Sequence, residues 1–291
     1  MYIRNIGEIM ENKILVLGAT GNIGSHIVTL LQNKNANFKA ATHQNTSPSM
    51  KTVKIDFNDV FTLLDAMKDI DTLFLPLPAH PKMEIWNKNI IEAAKFSNIK
   101  HIVRSSAAVA YQADYQFMKS LRRCDDLLIE SGIDYTLTLP QFFMQNFSTA
   151  LLEDYKSSTL YLPAGEGKIG WVDVRDVAAV NVEILLNPHR YNKQKILISG
   201  VEALSYAEAV EQMNTVLNLQ TRYVAIPRKS AFESMQTQGL DPFFIGVMMD
   251  LNDAIADGCT YECSNSIKTI TGKNPITLKE FTQEHSDLWL S

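Results

Sequence analysis

The four apolar residues Ile14 to Leu17 run directly into Gly18-Ala-Thr-Gly21-Asn-Ile-Gly24, and an apolar-periodic stretch without proline continues to Leu31. This is the pattern of a strand, a tight turn and a helix. In a G-x-x-G-x-x-G turn, glycine lets backbone N–H groups and the positive end of the helix come close to a pyrophosphate. The last glycine lets the helix lie tightly on the strand. Such a motif is short enough to arise by chance, but its context of strand, helix and following βα units favours dinucleotide binding over a plain turn. The residues assigned to that cradle are Gly18, Thr20, Gly21, Asn22, Ile23 and Gly24.

The alternation continues along the chain. Strands are expected at 13–17, 38–42, 52–55, 71–77, 101–105 and 135–139, and helices at 23–32, 59–67, 83–96 and 121–131. Farther on, 171–174 and 195–199 read as strands and 176–186 and 205–217 as helices, with Ser205 and Glu208 spaced as a capping box. The final eighty or so residues read as helical and Met-rich. The expected fold is α/β: a Rossmann doubly wound parallel sheet with a smaller, interleaved C-terminal α+β substrate domain. Residues 1–10 are expected to be a disordered extension and 11–155 the NAD(P)-binding domain. Residues 156–291 would form most of the substrate domain, with 171–199 returning to the Rossmann core.

A net charge of −5 argues against a nucleic-acid partner, which requires clustered Lys and Arg. The densest basic patch, Lys119, Arg122 and Arg123, is followed at once by Asp125 and Asp126 and reads as a solvated helix face. Cys124, Cys259 and Cys263 form neither an even disulfide set nor a zinc-spaced cluster, so they read as structural thiols of a reducing, cytoplasmic compartment, and no metal is expected. No apolar run is long enough to span a bilayer, so no membrane association is expected.

The residues after the second strand bear on the choice of dinucleotide. NAD binders place an Asp or Glu there for the ribose 2′-OH, and NADP binders an Arg for the 2′-phosphate. Here residues 40–47 read AATHQNTS, with no acid. His43 can contact a 2′-phosphate, with Thr42, Asn45, Thr46 and Ser47 adding hydrogen bonds. This favours NADP(H) over NAD(H), against the plain alternative of a solvent-exposed histidine.

Several segments together carry a resemblance: GATGNIG at 18–24, IDF at 55–57, DTLFLPLP at 71–78, IKHIVRSS at 99–106, SGIDYTLTLPQFFMQNF at 131–147, WVDVRDVAA at 171–179, ISGVEALSYAEAVEQMN at 198–214 and TGKNPITLKEF at 271–281. In order and spacing the chain resembles the NmrA-like family, atypical members of the short-chain dehydrogenase/reductase superfamily. The resemblance implies a Rossmann domain with a small substrate domain. It also implies either reduction of quinones, azo dyes, triphenylmethane dyes or iminium compounds, or dinucleotide sensing without turnover. Carried over by position, it places Asp56 and Phe57 beside the adenine, Leu75, Pro76, Leu77 and Ser105 along the cofactor groove, and Phe142, Phe143 and Met144 near the nicotinamide. Three positions depart from the family pattern. His43 stands for the usual Arg, Thr138-Leu139-Pro140 lacks the Arg of Leu-Arg-Pro, and Leu121 stands where many members carry His or Lys.

Tyr115 and Lys119 have the Y-x-x-x-K spacing that would set a proton-donating Tyr and a supporting Lys on one helix face, with Ser105 and Ser106 nearby. They are the candidate catalytic pair; the plain alternative is an ordinary aromatic and a solvated lysine. Phe142, Phe143, Phe147, Trp171, Phe243 and Phe244 are candidates for the wall of a pocket taking a small, flat, apolar aromatic substrate. Asp176 reads as a helix N-cap and Asp173 as an inter-domain anchor. The functional expectation is an NAD(P)H-dependent reductase of a small conjugated acceptor. Two alternatives stand beside it: a non-catalytic dinucleotide sensor, and a Rossmann scaffold catalysing a redox-neutral step.

Overall fold

In the computed structural model, residues 12–43 and 52–290 are described; the expected N-terminal extension and Asn45 to Ser47 lie outside them. The main sheet is built from β1 (Ile14–Val16), β2 (Phe38–Thr42), β3 (Thr52–Lys54), β4 (Thr72–Pro76), β5 (His101–Ser105) and β6 (Asp134–Pro140). After β7 (Thr159–Leu162) leaves for a second layer, β8 (Gln194–Ile198) returns to complete the sheet. Its order is β3-β2-β1-β4-β5-β6-β8, parallel at every pair. The chain builds outward from β1 to β3, then resumes on the other side of β1. That reversal opens a crevice at the C-terminal ends of β1 and β4, where open α/β sheets bind ligands.

The inner strands β1 and β4 are near-continuous apolar runs because both their faces are covered. Leu15, Leu17, Leu73 and Leu75 bury on one side, under α2 (Val60–Ala66), α3 (Met83–Phe96) and α5 (Gln116–Glu130). Ile14, Val16 and Phe74 bury on the other, against α1 (Asn22–Asn33) and α7 (Val174–Leu186). A short α4 (Val109–Gln112) follows β5 and α6 (Leu152–Lys156) precedes β7. α5 begins five residues before its expected start at 121, because its first turn packs toward α4 and the C-terminal helices.

The second layer pairs β7 with β9 (Arg222–Ala225) around α8 (Tyr206–Leu217), and continues through α9 (Arg228–Thr237), α10 (Pro242–Ala256), α11 (Ser266–Thr271), α12 (Leu278–Glu284) and α13 (Asp287–Leu290). α8 starts with the expected capping box: Ser205 Oγ accepts from Glu208 N at 3.2 Å, and Glu208 Oε2 accepts from Ser205 N at 2.8 Å. The outer edge of β8 is covered. Ser264 Oγ donates to Leu197 O at 2.7 Å, Ser266 Oγ donates to the same carbonyl, and Ser264 N donates to Ser199 Oγ at 2.7 Å. Among the described residues, no helix is long and apolar enough to cross a membrane, and no group of three or more His, Cys, Asp or Glu is placed to hold a metal ion.

Two local expectations are corrected. Residues 171–174 form no strand: Val172 alone bridges Phe143, and the next residue, Asp173, already caps α7. The two aspartates also exchange roles. Asp173 is the N-cap, accepting from Arg175 N at 2.8 Å, and Asp176 is the anchor, its Oδ2 accepting from Ile276 N at 2.7 Å. Burial, with the Asp173 charge adding to it, pushes the Asp176 carboxyl up to about 6. A carboxyl that holds its proton more tightly folded than unfolded loses stability as pH rises through that interval, from about 4 to about 6. Asp176→Asn keeps the carbonyl acceptor for Ile276. The variant should therefore melt a few degrees above wild type at pH 8, by ~2–3 kcal/mol, and the gap should close near pH 4. Thermal melts across that range measure it.

Candidate functional site

The glycine turn at the end of β1 is packed without room for side chains. Gly18 has φ +62°, the left-handed region, and a Cβ there would lie 3.0 Å from Pro76 Cγ. A Cβ on Gly24 would lie 2.1 Å from Gly18 O, so α1 rests on the turn with no space for a side chain. Gly21 N donates to Gly18 O at 2.9 Å and Ala19 N to Ala41 O at 3.0 Å, while Thr20 Oγ1 meets Thr42 Oγ1 at 3.2 Å. Gly21 supplies no side-chain cap to α1 and no acidic residue stands in its first turn. The helix thus presents its first N–H groups and positive end to the crevice, as a pyrophosphate requires.

Beyond β2 a file of rings borders the crevice. His43 stands 6.4 Å from Phe57, Phe57 5.5 Å from Trp86, and Trp86 stacks on His80 at 4.1 Å between centroids. Phe57 is held from behind by Asn89 Nδ2, which donates to its carbonyl at 2.9 Å. Asp56 accepts from Asn58 N and Asn58 Nδ2, both at 2.8 Å, and these bonds hold its carboxyl below the usual range.

On the other side of the β1–β4 reversal, at the ends of β4, β5 and β6, lies a cavity of about 220 Å³. Four residues expected in the site line it: Leu77, Ser105, Phe142 and Phe143. Phe117, Leu121 and Leu251 complete an apolar wall, and Ser106, Gln141 and Asn146 add polar groups. Beneath it Arg104 and Asp125 form a fully buried ion pair. Asp125 Oδ2 accepts from Ser106 Oγ at 2.7 Å and from Tyr111 OH at 2.9 Å, and Arg104 Nη1 donates to Asn87 Oδ1 at 3.4 Å. Burial and the Asp125 charge push the Tyr111 phenol far above its ordinary range, so it stays a donor.

The sequence model of the NmrA-like family matches residues 10–279. The chain belongs to the NmrA-like family. An NAD(P)H azoreductase of Xenophilus azovorans is 31% identical over 280 residues, covering 94% of this chain and 98% of its own. The fold recurs in many solved structures. A nucleoside-diphosphate-sugar epimerase from Staphylococcus aureus superposes with a TM-score of 0.85 at 23% identity, covering 93% of this chain and 99% of its own. An NADPH-dependent quinone oxidoreductase from Escherichia coli, solved with NADPH, superposes with a TM-score of 0.82 at 20% identity, with the same coverage of 93% and 99%.

Several expected residues of this NmrA-like chain lie away from the cavity. Phe147 and Trp171 are buried in the core of the second layer with Tyr206, and Trp171 Nε1 donates to Leu204 O at 3.1 Å; their aromatic bulk fills that core. Met144 belongs to the same core and Leu75 to the core beneath the sheet. Phe243 and Phe244 sit in the first turn of α10, Phe244 being 47% exposed, and it is Leu251, two turns on, that reaches the cavity. The Tyr115–Lys119 pair does not form on one helix face. Tyr115 is the N-cap residue of α5, outside the helical turn, and its hydroxyl bonds to Asp257, which pushes the phenol up to about 12. Lys119 pairs with Asp114 at 3.3 Å. The basic patch is likewise not wholly solvated, because Arg122 Nη1 donates to the Ala110 and Ala113 carbonyls at 2.6 and 2.8 Å, while Asp125, which follows the patch, turns inward to Arg104. The sequence signal for that network lay in the apolar spacing of Met118, Leu121, Cys124, Asp125 and Leu128 on the buried face of α5.

A carboxylate buried beside a guanidinium depends on it. Arg104→Met should cost about 3–5 kcal/mol in urea denaturation, and adding Asp125→Leu should recover only part of the loss, because the Ser106 and Tyr111 hydroxyls then lose their acceptor.

Proposed function

We propose that this chain is an NAD(P)H-dependent reductase that passes hydride to a small conjugated acceptor of the quinone, imine, iminium or dye class, with NADP(H) preferred to NAD(H). The observation that carries the reading is the placement of an aromatic-walled cavity at the ends of β4, β5 and β6, next to a glycine cradle at the end of β1. A nicotinamide, when bound, supplies the hydride. What the chain must do is hold it face-on to an acceptor and keep water out. In this reading Gly18, Thr20, Gly21, Asn22, Ile23 and Gly24 hold the pyrophosphate, and Asp56 with Phe57 borders the adenine. His43 meets the 2′-phosphate. Leu77, Ser105, Phe142 and Phe143 form the nicotinamide end, and Phe117 and Leu251 face the acceptor. The relative named as an NAD(P)H azoreductase, similar over nearly the whole chain, supports the same class of acceptor.

The wall offers aromatic and aliphatic surface in keeping with a flat conjugated substrate. The side chains that would be textually expected to donate a proton, Tyr115 and Lys119, are bonded to Asp257 and Asp114 and do not line the cavity. The reading therefore assigns them no part in proton delivery.

Fluorescence titration with NADPH and NADH, followed by nicotinamide absorbance with a panel of azo dyes and quinones, tests the proposal. NADPH should bind about tenfold tighter than NADH, one charge-assisted contact being worth that much, and His43→Asp should abolish or reverse the difference. Tyr115→Phe should turn over the same acceptors as wild type. Failure to bind either nucleotide overturns the reading. Binding without oxidation of NAD(P)H by any acceptor would replace the reductase with a dinucleotide sensor.

A further inference from the structure

The cavity is unusual in how its polar groups are committed. Ser106 stands just past β5, partly exposed to the cavity it lines, and its one hydroxyl proton goes to Asp125 Oδ2 at 2.7 Å. Asp125 is ion-paired with Arg104, so its carboxylate accepts and has no proton to return. Tyr111 donates to the same oxygen, so a turn of the Ser106 hydroxyl would leave a buried carboxylate oxygen short of one donor. What Ser106 has left for a ligand is its lone pairs.

Gln141, just past β6, is committed in the same sense. Its Nε2 donates to Gln112 Oε1 and to Glu262 O, both at 3.3 Å. Both partners are acceptors, so exchanging the amide's oxygen and nitrogen would set oxygen against oxygen. Gln141 is 4% exposed and is one of the residues lining the cavity, and its Oε1 is closed off from solvent with no partner among the described residues. A buried polar atom without a partner carries a desolvation cost that a ligand donor would relieve. β5 and β6 are adjacent strands, paired Ser105 to Thr138, so the two acceptors stand at neighbouring strand ends.

We propose that Ser106 Oγ and Gln141 Oε1 form an acceptor pair that selects conjugated substrates carrying an N–H or O–H donor on the ring system. This rests on the reductase reading of the same cavity and adds the chemistry by which it discriminates. The donor belongs to the acceptor substrate; the carboxamide N–H of a bound nicotinamide offers the same chemistry and is the source the experiment must separate.

The test uses the full chain saturated with NADP⁺ and two dyes of nearly the same shape, para-aminoazobenzene and its N,N-dimethyl derivative, with Kd read by quenching of intrinsic fluorescence. Wild type should bind the amino dye about five- to tenfold tighter. In Ser106→Ala and in Gln141→Leu the ratio of the two Kd values, taken within each variant, should fall toward one. Equal Kd values in wild type, or a ratio unchanged in both variants, would overturn the proposal. So would a loss of NADP⁺ affinity in the variants with the dye ratio intact, which would assign the pair to the nicotinamide. Because the readout is binding, it separates from the reductase reading. A chain that discriminates the dyes yet never oxidises NAD(P)H keeps the acceptor pair and loses the reductase, and one that reduces both dyes with equal Kd does the reverse.

Discussion

A guanidinium and a carboxylate hidden from water at the end of β5 govern the geometry around them. Removing two charges from solvent is costly, and the cost is tolerable only when the remaining polar valences are filled. Here they are filled from three places, Asn87 on α3, Tyr111 on α4 and Ser106 just past β5, all converging on the pair formed by Arg104 on β5 and Asp125 on α5. Displacing any of these elements would strand a charge or a hydroxyl. The floor of the cavity is therefore fixed by electrostatics, while its walls are held by packing together with single bonds such as Gln141 Nε2 to Glu262 O and Phe117 N to Asp250 Oδ2.

The cradle and the cavity are coupled through the sheet. Pro76 ends β4 against Gly18, so the strand that lies beside the cavity also touches the turn that faces the crevice. Phe142 and Phe143 follow β6 and are tied to the second layer through the Phe143–Val172 bridge. A ligand spanning from the glycine turn to these phenylalanines would cross the reversal point in the strand order, with each of its ends on a different βα unit. Parallel sheets favour such sites because neighbouring strands end together on one side.

How much of this was legible in the sequence depended on the range of the interactions. The glycine turn, the strands of the main sheet and the capping box at Ser205 are local patterns, and they appear where periodicity and spacing placed them, whereas β7 and β9 of the second layer carried no such signal. Leu77, Ser105, Phe142 and Phe143, which the family resemblance placed in the site, lie together because they stand at or just past strand ends. The misses are long-range. Trp171 and Phe147 look alike with Phe142 in sequence, yet their rings close the core of the second layer, a fact fixed by contacts with Tyr206 far along the chain. Tyr115 and Lys119 matched a spacing rule that presumes a helix around both, and the helix starts one residue too late. Asp125 sits among surface charges, and although the apolar spacing of α5 turns it inward, its partner Arg104 lies on β5, beyond any local pattern.

The two serines on the Leu197 carbonyl have a consequence for how copies of the protein can meet. An edge strand ordinarily offers its free backbone groups as a template for another chain. On β8 the Leu197 carbonyl is already bonded by Ser264 and Ser266, from the segment that leads into α11. Sheet continuation across this border would have to break both bonds and expose the carbonyl before any new bond formed. Association through that flank is left to side-chain surfaces, whose fit is specific, and the open-ended growth that bare strand edges permit is blocked there.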